Sequence, residues 1–173
     1  MSSRGPLRKT RPLALVGFMG SGKSVVGAIV AQRTGTPLHD LDVMIEAEAG
    51  MPIPAIFARG GEAAFRALET QLLPSALEPG SVAALGGGSL MNDANWDVVA
   101  RTATTVYLDV PFQTMWERIR RLTGRPLASG RSRAEVEALF ETRRARYEQA
   151  MHRVKGDQAP AVVADEVIKL WSA

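Results

Sequence analysis

Residues 13–34 read LALVGFMGSGKSVVGAIVAQRT, and this stretch decides the fold. The apolar run at residues 13–16 predicts a buried strand, and the apolar residues after Lys23 recur at helical spacing until Gly35 ends the helix. Between them, residues 17–24 match the pattern of Gly, four residues, Gly, Lys and Ser. The glycines allow backbone N–H groups and the helix N-terminus to face phosphate oxygens. The stretch therefore predicts a phosphate-binding loop between a strand and a helix.

Short apolar runs alternate with helical patterns along the rest of the chain. Further strands are predicted at residues 37–42, 81–85, 104–110 and 152–157. Further helices are predicted at residues 43–49, 54–77 with a break near Gly60 and Gly61, 93–101, 111–123, 133–151 and 160–171. Because parallel strands need crossover connections, this order predicts an α/β fold with helices on both faces of a parallel sheet. Ligands of such sheets bind at the carboxyl ends of the strands.

The composition is typical of one folded domain. The 173 residues are 46% hydrophobic, contain no Cys and only two His, and carry a net charge of +3. These counts exclude a disulfide framework and a thiolate zinc site, disfavour a histidine metal site, and do not imply a nucleic-acid partner. No apolar run approaches the ~18 residues of a membrane span, and residues 1–12 lack the apolar stretch of a secretory signal. We expect a flexible basic arm at residues 1–11 and one cytoplasmic domain at residues 12–173.

Charged residues in and after the loop indicate how phosphate would be handled. Lys23 would bridge the β and γ phosphates, and Ser24 would ligate Mg²⁺. Asp40 and Asp42 lie two residues apart at the end of a predicted strand, so an extended backbone would point both carboxylates to one side. One would hold Mg²⁺, and the other would accept a proton from a substrate hydroxyl. The alternative is that Asp42 only caps the helix predicted from residue 43.

Two charged residues fall on helix faces that the pattern predicts to be buried. Arg143 lies on an apolar stripe four residues before Tyr147, and Glu69 lies on another, three residues after Arg66. Both arginines suit the carboxylate of an anionic substrate, because a guanidinium donates two parallel hydrogen bonds. An internal ion pair, or a side chain that reaches solvent, is the alternative for each.

Two further loops would complete a phosphate-transfer site. The glycine triplet at residues 86–88 follows a predicted strand and offers backbone N–H groups to a ligand, or forms a tight turn. Residues 123–133 are basic and begin with Arg125-Pro-Leu. In a phosphate-transfer enzyme such a segment is typical of a mobile lid that brings an arginine to the transferring phosphoryl group. A solvated basic loop is the alternative.

Taken in chain order, these motifs resemble those of the shikimate kinase family. The resemblance covers about residues 12–152 and rests on the phosphate-binding loop, Asp40-x-Asp42, residues 56–66, the glycine triplet, Arg125-Pro-Leu and Arg143-x-x-x-Tyr147. Each motif is shared with other small P-loop kinases, but the ordered set is specific to this family. The resemblance implies a P-loop kinase fold with a five-stranded parallel sheet. It also implies transfer of the ATP γ-phosphate to the 3-hydroxyl of shikimate, a step towards chorismate and the aromatic amino acids.

The resemblance also implies a role for each motif residue. ATP would be bound by Gly20, Ser21, Gly22, Lys23, Ser24 and Val25, and Mg²⁺ by Ser24 and Asp40. The catalytic residues would be Asp42, Lys23 and Arg125. Shikimate would be bound by Asp42, Arg66, Gly87 and Arg143, with Glu69 steadying Arg66. The expected protein is a monomer that acts on these small molecules, without nucleic acid or a membrane.

Some alternatives stay open at the level of sequence. The arginine nearest adenine is one of Arg118, Arg120 and Arg121, and residues 157–160 match the family's adenine loop only loosely. The alternative functions are another small-molecule P-loop kinase, similar to a gluconate kinase, and a non-catalytic nucleotide-binding module.

Overall fold

One parallel sheet forms the centre of the molecule. The computed structural model describes residues 11–121 and 130–172. Five strands pair in the order β2-β3-β1-β4-β5, all parallel. They are β1 (Leu13–Val16), β2 (Leu38–Asp40), β3 (Val82–Ala84), β4 (Thr104–Asp109) and β5 (His152–Lys155). The predicted α/β fold with a five-stranded parallel sheet is confirmed.

Seven helices connect and cover these strands within the described part of the chain. They are α1 (Lys23–Thr34), α2 (Leu41–Ala49), α3 (Ile53–Ala76), α4 (Asp93–Thr102), α5 (Phe112–Ile119), α6 (Arg133–Tyr147) and α7 (Pro160–Ser172). A short 3₁₀ helix at Ser89–Met91 precedes α4. The predicted break in α3 is present at Gly61, whose φ of 69° takes it out of the helical region.

The sheet separates two apolar layers, and β1 contributes to both. Leu13 and Leu15 join the layer that packs against α1 and α7, whereas Ala14 and Val16 join the layer beneath the other helices. All four side chains are buried. Because both faces of β1 are covered, all four of its residues are apolar, and this continuous apolar run is the pattern that predicted the strand.

The start of α2 differs from the sequence prediction. The Asp40 carboxylate accepts hydrogen bonds from the N–H groups of Asp42 at 3.1 Å and Val43 at 3.5 Å, so it caps the helix. As a result, α2 begins at Leu41 rather than at residue 43, and β2 ends at Asp40. The predicted extended geometry of Asp40 and Asp42 is therefore wrong, since Asp42 lies in the first helical turn. The predicted alternative, with Asp42 as the cap, is also wrong.

Two helices end earlier than their patterns predicted. Helix α6 ends at Tyr147 rather than at residue 151, because the N–H of Met151 donates to Thr105 Oγ1 at 2.8 Å and directs the chain into β5. Helix α5 ends at Ile119 rather than at residue 123. Beyond it, Arg120 and Arg121 form a turn.

Arg11, the first residue that the structure describes, contacts helices α4 and α7. Arg11 donates to the carbonyl groups of Ala100 at 3.0 Å and Arg101 at 3.1 Å, in the last turn of α4. Its own carbonyl accepts from the Trp171 indole at 3.0 Å. Arg11 was assigned to the flexible arm by sequence, but these bonds attach it to the domain, and residues 1–10 lie outside the described residues.

Candidate active site

The phosphate-binding loop connects β1 to α1 at the carboxyl edge of the sheet. Gly20 and Gly22 have φ values of 77° and 94°, which favour glycine. A Cβ on Gly20 would also lie 3.0 Å from the carbonyl oxygen of Met115. Gly22 is the N-cap of α1, so the amide groups of the first turn point towards the loop. The local geometry is therefore that of an anion-binding site at a helix N-terminus.

Lys23 lies across this loop. Its ammonium group donates to the carbonyl oxygens of Gly17 at 2.8 Å and Phe18 at 3.0 Å, and to Ser21 Oγ at 3.4 Å. The side chain thus places a positive charge at the loop, where phosphate groups carry negative charge. Ser21 is buried, so its hydroxyl contacts Lys23 from inside the loop.

Ser24 and the two aspartates meet next to the loop. The Ser24 hydroxyl donates to the Asp40 carboxylate. Asp40 and Asp42 both line a cleft of about 300 Å³, together with Lys23 and Val25. The remaining lining residues include four glycines that the sequence analysis singled out: Gly20, Gly22, Gly86 and Gly87. Although the predicted backbone geometry of the two aspartates was wrong, the structure brings both carboxylates to the phosphate-binding loop.

Arg66 and Glu69 form the ion pair that their spacing on α3 allowed. Arg66 Nη1 lies 2.5 Å from Glu69 Oε2, and Arg66 also pairs with Glu62 at 3.0 Å. Glu69 is only 1% exposed, and burial raises the pKa of its carboxyl group despite the stabilising contact with Arg66. Burial alone would lower the pKa of Arg66, but the two glutamates outweigh burial and raise it. The Arg66 side chain is 27% exposed, so the pair positions a guanidinium that still has an accessible surface.

Sequence reasoning missed two buried polar residues that extend this network. Ser89 Oγ donates to Glu69 Oε1 at 2.7 Å, and Asn95 Nδ2 donates to the Ser89 carbonyl oxygen at 3.0 Å. Both residues are at least 96% buried. The only sequence signal was polarity at buried positions next to the glycine triplet. Ser89 thus holds Oε1 of Glu69, Asn95 holds Ser89, and Arg66 binds the other oxygen, Oε2. The orientation of Arg66 therefore depends on α3, the 3₁₀ helix and α4.

Arg143 is buried without an ion-pair partner in residues 11–121 and 130–172. It is 7% exposed, and its Nη1 has no hydrogen-bond partner within the same residues. Burial lowers the pKa of Arg143, and the nearby Arg66 guanidinium lowers it further, while Tyr147 opposes both effects. The guanidinium also lies 5.9 Å from the ring centre of Phe18 in the phosphate-binding loop. Within the described residues the predicted internal ion pair of Arg143 is therefore not formed, and Glu62 acts on Arg143 only as a more distant charge.

The glycine triplet packs between these groups. A Cβ on Gly87 would lie 3.1 Å from the backbone nitrogen of Met19, and one on Gly88 would lie 2.5 Å from Arg66 Nη2. A side chain at Gly88 would have to displace the Arg66 guanidinium, and one at Gly87 would press on the backbone of the phosphate-binding loop. The triplet thus touches the phosphate-binding loop on one side and Arg66 on the other.

Of the three candidate adenine-side arginines, Arg118 reaches the cleft. Its Nη1 donates to the carbonyl oxygen of Gly20 at 3.0 Å, and its side chain lines the cleft. Arg120 instead pairs with Glu117 at 2.5 Å. Asp109, which ends β4 at the same sheet edge, pairs with Arg153 at 2.6 Å and is not among the lining residues.

Two predicted features lie wholly or partly beyond what the structure describes. Arg125 and most of the predicted lid at residues 123–133 fall in the undescribed residues 122–129.

Among the residues that are described, no group of three or more His, Asp or Glu side chains could hold a metal ion. No helix in the same part of the chain is long and apolar enough to cross a membrane.

The phosphate-binding loop, two carboxylates and part of the glycine triplet line one cleft, and the third glycine of the triplet packs against Arg66; together they define a class of protein. These are the parts of a P-loop enzyme that transfers a phosphoryl group to a small anionic acceptor. A protein-family model described as "Shikimate kinase" matches residues 19–171. The chain belongs to the shikimate kinase family.

Individual relatives agree with this assignment. The shikimate kinase of Salinibacter ruber is 40% identical over 170 residues, which is 92% of this chain and 83% of the relative. That of Aquifex aeolicus is 37% identical, over 89% of this chain and 92% of the relative.

Solved structures give the same result. Shikimate kinase from Acinetobacter baumannii in complex with shikimate superposes with a TM-score of 0.89 at 30% identity, covering 94% of this chain and 93% of the other. A gluconokinase from Sinorhizobium meliloti has a TM-score of 0.62 at 18% identity, which shows a shared fold alone.

Proposed function

We propose that the cleft transfers the γ-phosphate of ATP to the 3-hydroxyl of shikimate, with the acceptor carboxylate bound by Arg143 and Arg66. The observation that supports this most strongly is the buried Arg143 guanidinium, whose Nη1 has no hydrogen-bond partner in the described chain. A buried cation without an anion is unfavourable, and its pKa is lowered as a result. A carboxylate ligand would satisfy the open donor and offset the repulsion between the two guanidinium groups. An anionic acceptor therefore fits this site better than a neutral polyol.

The nucleotide phosphates would occupy the loop at residues 17–24. Lys23 would exchange its contacts with the loop carbonyls for contacts with phosphate oxygens, and the first amides of α1 would complete the cradle. Gly20, Gly22 and Val25 line the same space. Arg118 donates to the loop at Gly20, and we assign it as the arginine nearest the base.

Ser24 and Asp40 fit a Mg²⁺ site. Their oxygens are hard ligands, they touch each other, and they lie where a phosphate chain would leave the loop. When bound, Mg²⁺ would neutralise charge on the phosphate oxygens. The small number of protein ligands agrees with this assignment, because Mg²⁺ bound to a nucleotide takes its remaining ligands from phosphate and water.

Asp42 would act on the acceptor hydroxyl. It lines the cleft, and its carboxylate lies beside the glycine triplet, since a Cβ on Gly86 would be 3.4 Å from Asp42 Oδ1. In the proposed step the hydroxyl oxygen bonds to the γ-phosphorus, the bond to the β-phosphate oxygen breaks, and the hydroxyl proton passes to Asp42. Catalysis would come from alignment and charge complementarity. From sequence alone, we also assign Arg125 to the transferring phosphoryl group.

The wider assignments follow from the same chemistry. We propose a monomer that works in the cytoplasm, where its co-substrate ATP is available, and that has no nucleic-acid or membrane partner. Transfer to a carboxylate-bearing acceptor requires one active site and two small molecules, so the proposed reaction calls for no partner chain.

The test is Mg²⁺-dependent release of ADP from ATP with shikimate, gluconate or a nucleoside monophosphate as acceptor. We expect stimulation by shikimate alone, and stimulation by another acceptor alone would overturn the proposal. ATP binding without stimulation by any acceptor would instead indicate a non-catalytic module.

A separate variant tests the assignment of Arg143 to acceptor binding. We expect Arg143→Ala to raise the KM for shikimate by at least about 30-fold, with a change of less than about twofold in the KM for ATP. Arg144→Ala is the matched control, because that neighbouring arginine is exposed and pairs with Glu141 and Glu148 on the surface. An unchanged KM for shikimate in the Arg143 variant would remove that residue from acceptor binding.

A further inference from the structure

We propose that Tyr147 is a positioning residue for the acceptor side of the cleft, and that it acts through the peptide joining Gly87 to Gly88; this rests on the function proposed above. Tyr147 is fully buried, and its hydroxyl donates a hydrogen bond to the carbonyl oxygen of Gly87. The two residues are 60 positions apart, so the bond joins the end of α6 to the glycine triplet.

This bond controls more than one atom of the triplet. Because a peptide group is planar and trans, fixing the Gly87 carbonyl also fixes the direction of the Gly88 N–H and the position of the Gly88 Cα. That Cα packs under the Arg66 guanidinium, and the Gly87 Cα packs against the backbone of the phosphate-binding loop near Met19. A rotation of this peptide would therefore disturb the support of Arg66.

Tyr147 itself is held firmly. Its ring stacks on that of Tyr107, with the ring centres 5.6 Å apart and the planes inclined by 28°. It lies one helical turn after Arg143 on α6, so the same helix supplies an acceptor-binding group and the anchor of the glycine triplet. Burial raises the pKa of Tyr147 to about 12, so its hydroxyl keeps its proton and donates at neutral pH. Tyr147 thus couples the two sides of the acceptor site.

Tyr147→Phe leaves the ring in place and removes the hydroxyl, and with it both the bond to Gly87 and the contact of that hydroxyl with the Arg143 guanidinium. Tyr107→Phe is the matched control, because Tyr107 is nearly as buried and belongs to the same stack, yet its hydroxyl lies near Asp109 at the end of β4 rather than at the glycine triplet. For Tyr147→Phe we expect an increase of about threefold to tenfold in the KM for shikimate. The KM for ATP, and kcat at saturating shikimate, should stay within about twofold of the wild-type values. Tyr107→Phe should leave all three constants within the same limits.

The outcomes separate this proposal from the function on which it rests. Lack of shikimate-dependent turnover in the wild-type protein would refute the proposed function before any variant is compared. With an active wild type, an equal effect of the two tyrosine variants on the KM for shikimate would overturn the positioning role. A Tyr147→Phe variant that raises the KM for shikimate and the KM for ATP together would also overturn the positioning role, and so would a variant that fails to fold. Each of these results would show that the hydroxyl serves general stability.

Discussion

Replacing Glu69 by Gln should separate the stability of the protein from its affinity for the acceptor. The substitution keeps the shape of the side chain and an oxygen that can accept from Ser89, but it removes the charge that faces Arg66. We expect the free energy of unfolding at neutral pH to change by less than about 1 kcal/mol, because two opposing effects are involved.

The magnitude follows from the surroundings of Glu69. A hydrogen bond to a charged group contributes about 1.5–3 kcal/mol, and the variant loses this contact between Arg66 and Glu69. Against that loss, the variant no longer buries a carboxylate that is 1% exposed, and the raised pKa of Glu69 shows that burial outweighs the favourable contacts. Arg66 also keeps its pair with Glu62 at 3.0 Å, so it is not left as an isolated charge.

The pH dependence has a defined sign. Since the folded-state pKa of Glu69 is raised above its ordinary value of 4.5, this group contributes stability that is fully present below that value. The contribution is lost as the pH rises from 4.5 through the raised pKa. The wild-type protein should therefore lose stability relative to Glu69→Gln across that window.

Binding should respond differently from stability. With one of its two carboxylate partners removed, Arg66 would no longer be fixed beneath the acceptor, and we expect the KM for shikimate to rise about tenfold. Urea denaturation at several pH values and steady-state kinetics measure both quantities on the same sample. A loss of more than about 3 kcal/mol would refute the energetic argument. An unchanged KM would show that Glu69 does not position Arg66.

Three other changes test separate parts of the molecule. Asp42→Asn should lower kcat by at least about 100-fold and leave the KM for ATP nearly unchanged. The control Asp97→Asn, at an exposed position, should change neither constant. Normal turnover of the Asp42 variant would exclude Asp42 as the proton acceptor. Ser132→Ala removes the hydroxyl that accepts from the Glu135 N–H at the start of α6, so Tm should fall by about 2–4 °C; equal Tm values would exclude a contribution of this cap. The backbone N–H of residue 132 still donates to Glu135 and is the main reason that the pKa of Glu135 is lowered, so thermal melts of both proteins should shift in parallel on acidification. Deleting residues 1–10 should change neither Tm nor activity, whereas deleting residues 1–11 should lower Tm by about a few degrees, because the bonds from Arg11 to α4 are lost. Equal melting curves for the two deletion variants would show that these bonds contribute nothing to stability.

The features that sequence predicted well are local. The strand, loop and helix at residues 13–34 are predicted by that segment alone, because its apolar run, its glycine spacing and its helical periodicity all involve residues close together in sequence. The pairing of Arg66 with Glu69 also follows from helical spacing.

The features that sequence missed depend on contacts between distant elements or on competition at an element boundary. The capping of α2 by Asp40 was missed because an extended strand and a capped helix both fit the same residues. The choice of Arg118 over Arg120 depends on how α5 docks against the phosphate-binding loop. The bond from Tyr147 to Gly87 spans 60 residues and has no local signature.

The glycine triplet limits how this site can change. A methyl group on Gly86 would lie 2.8 Å from a Glu69 oxygen, one on Gly87 would meet the phosphate-binding loop, and one on Gly88 would meet Arg66. A side chain at Gly86 or Gly88 would thus have to move Glu69, Ser89 or Arg66, which are bonded to one another, whereas a side chain at Gly87 would press on backbone. A new acceptor specificity would therefore arise at less cost through residues elsewhere around the cleft, whose replacement leaves this network intact.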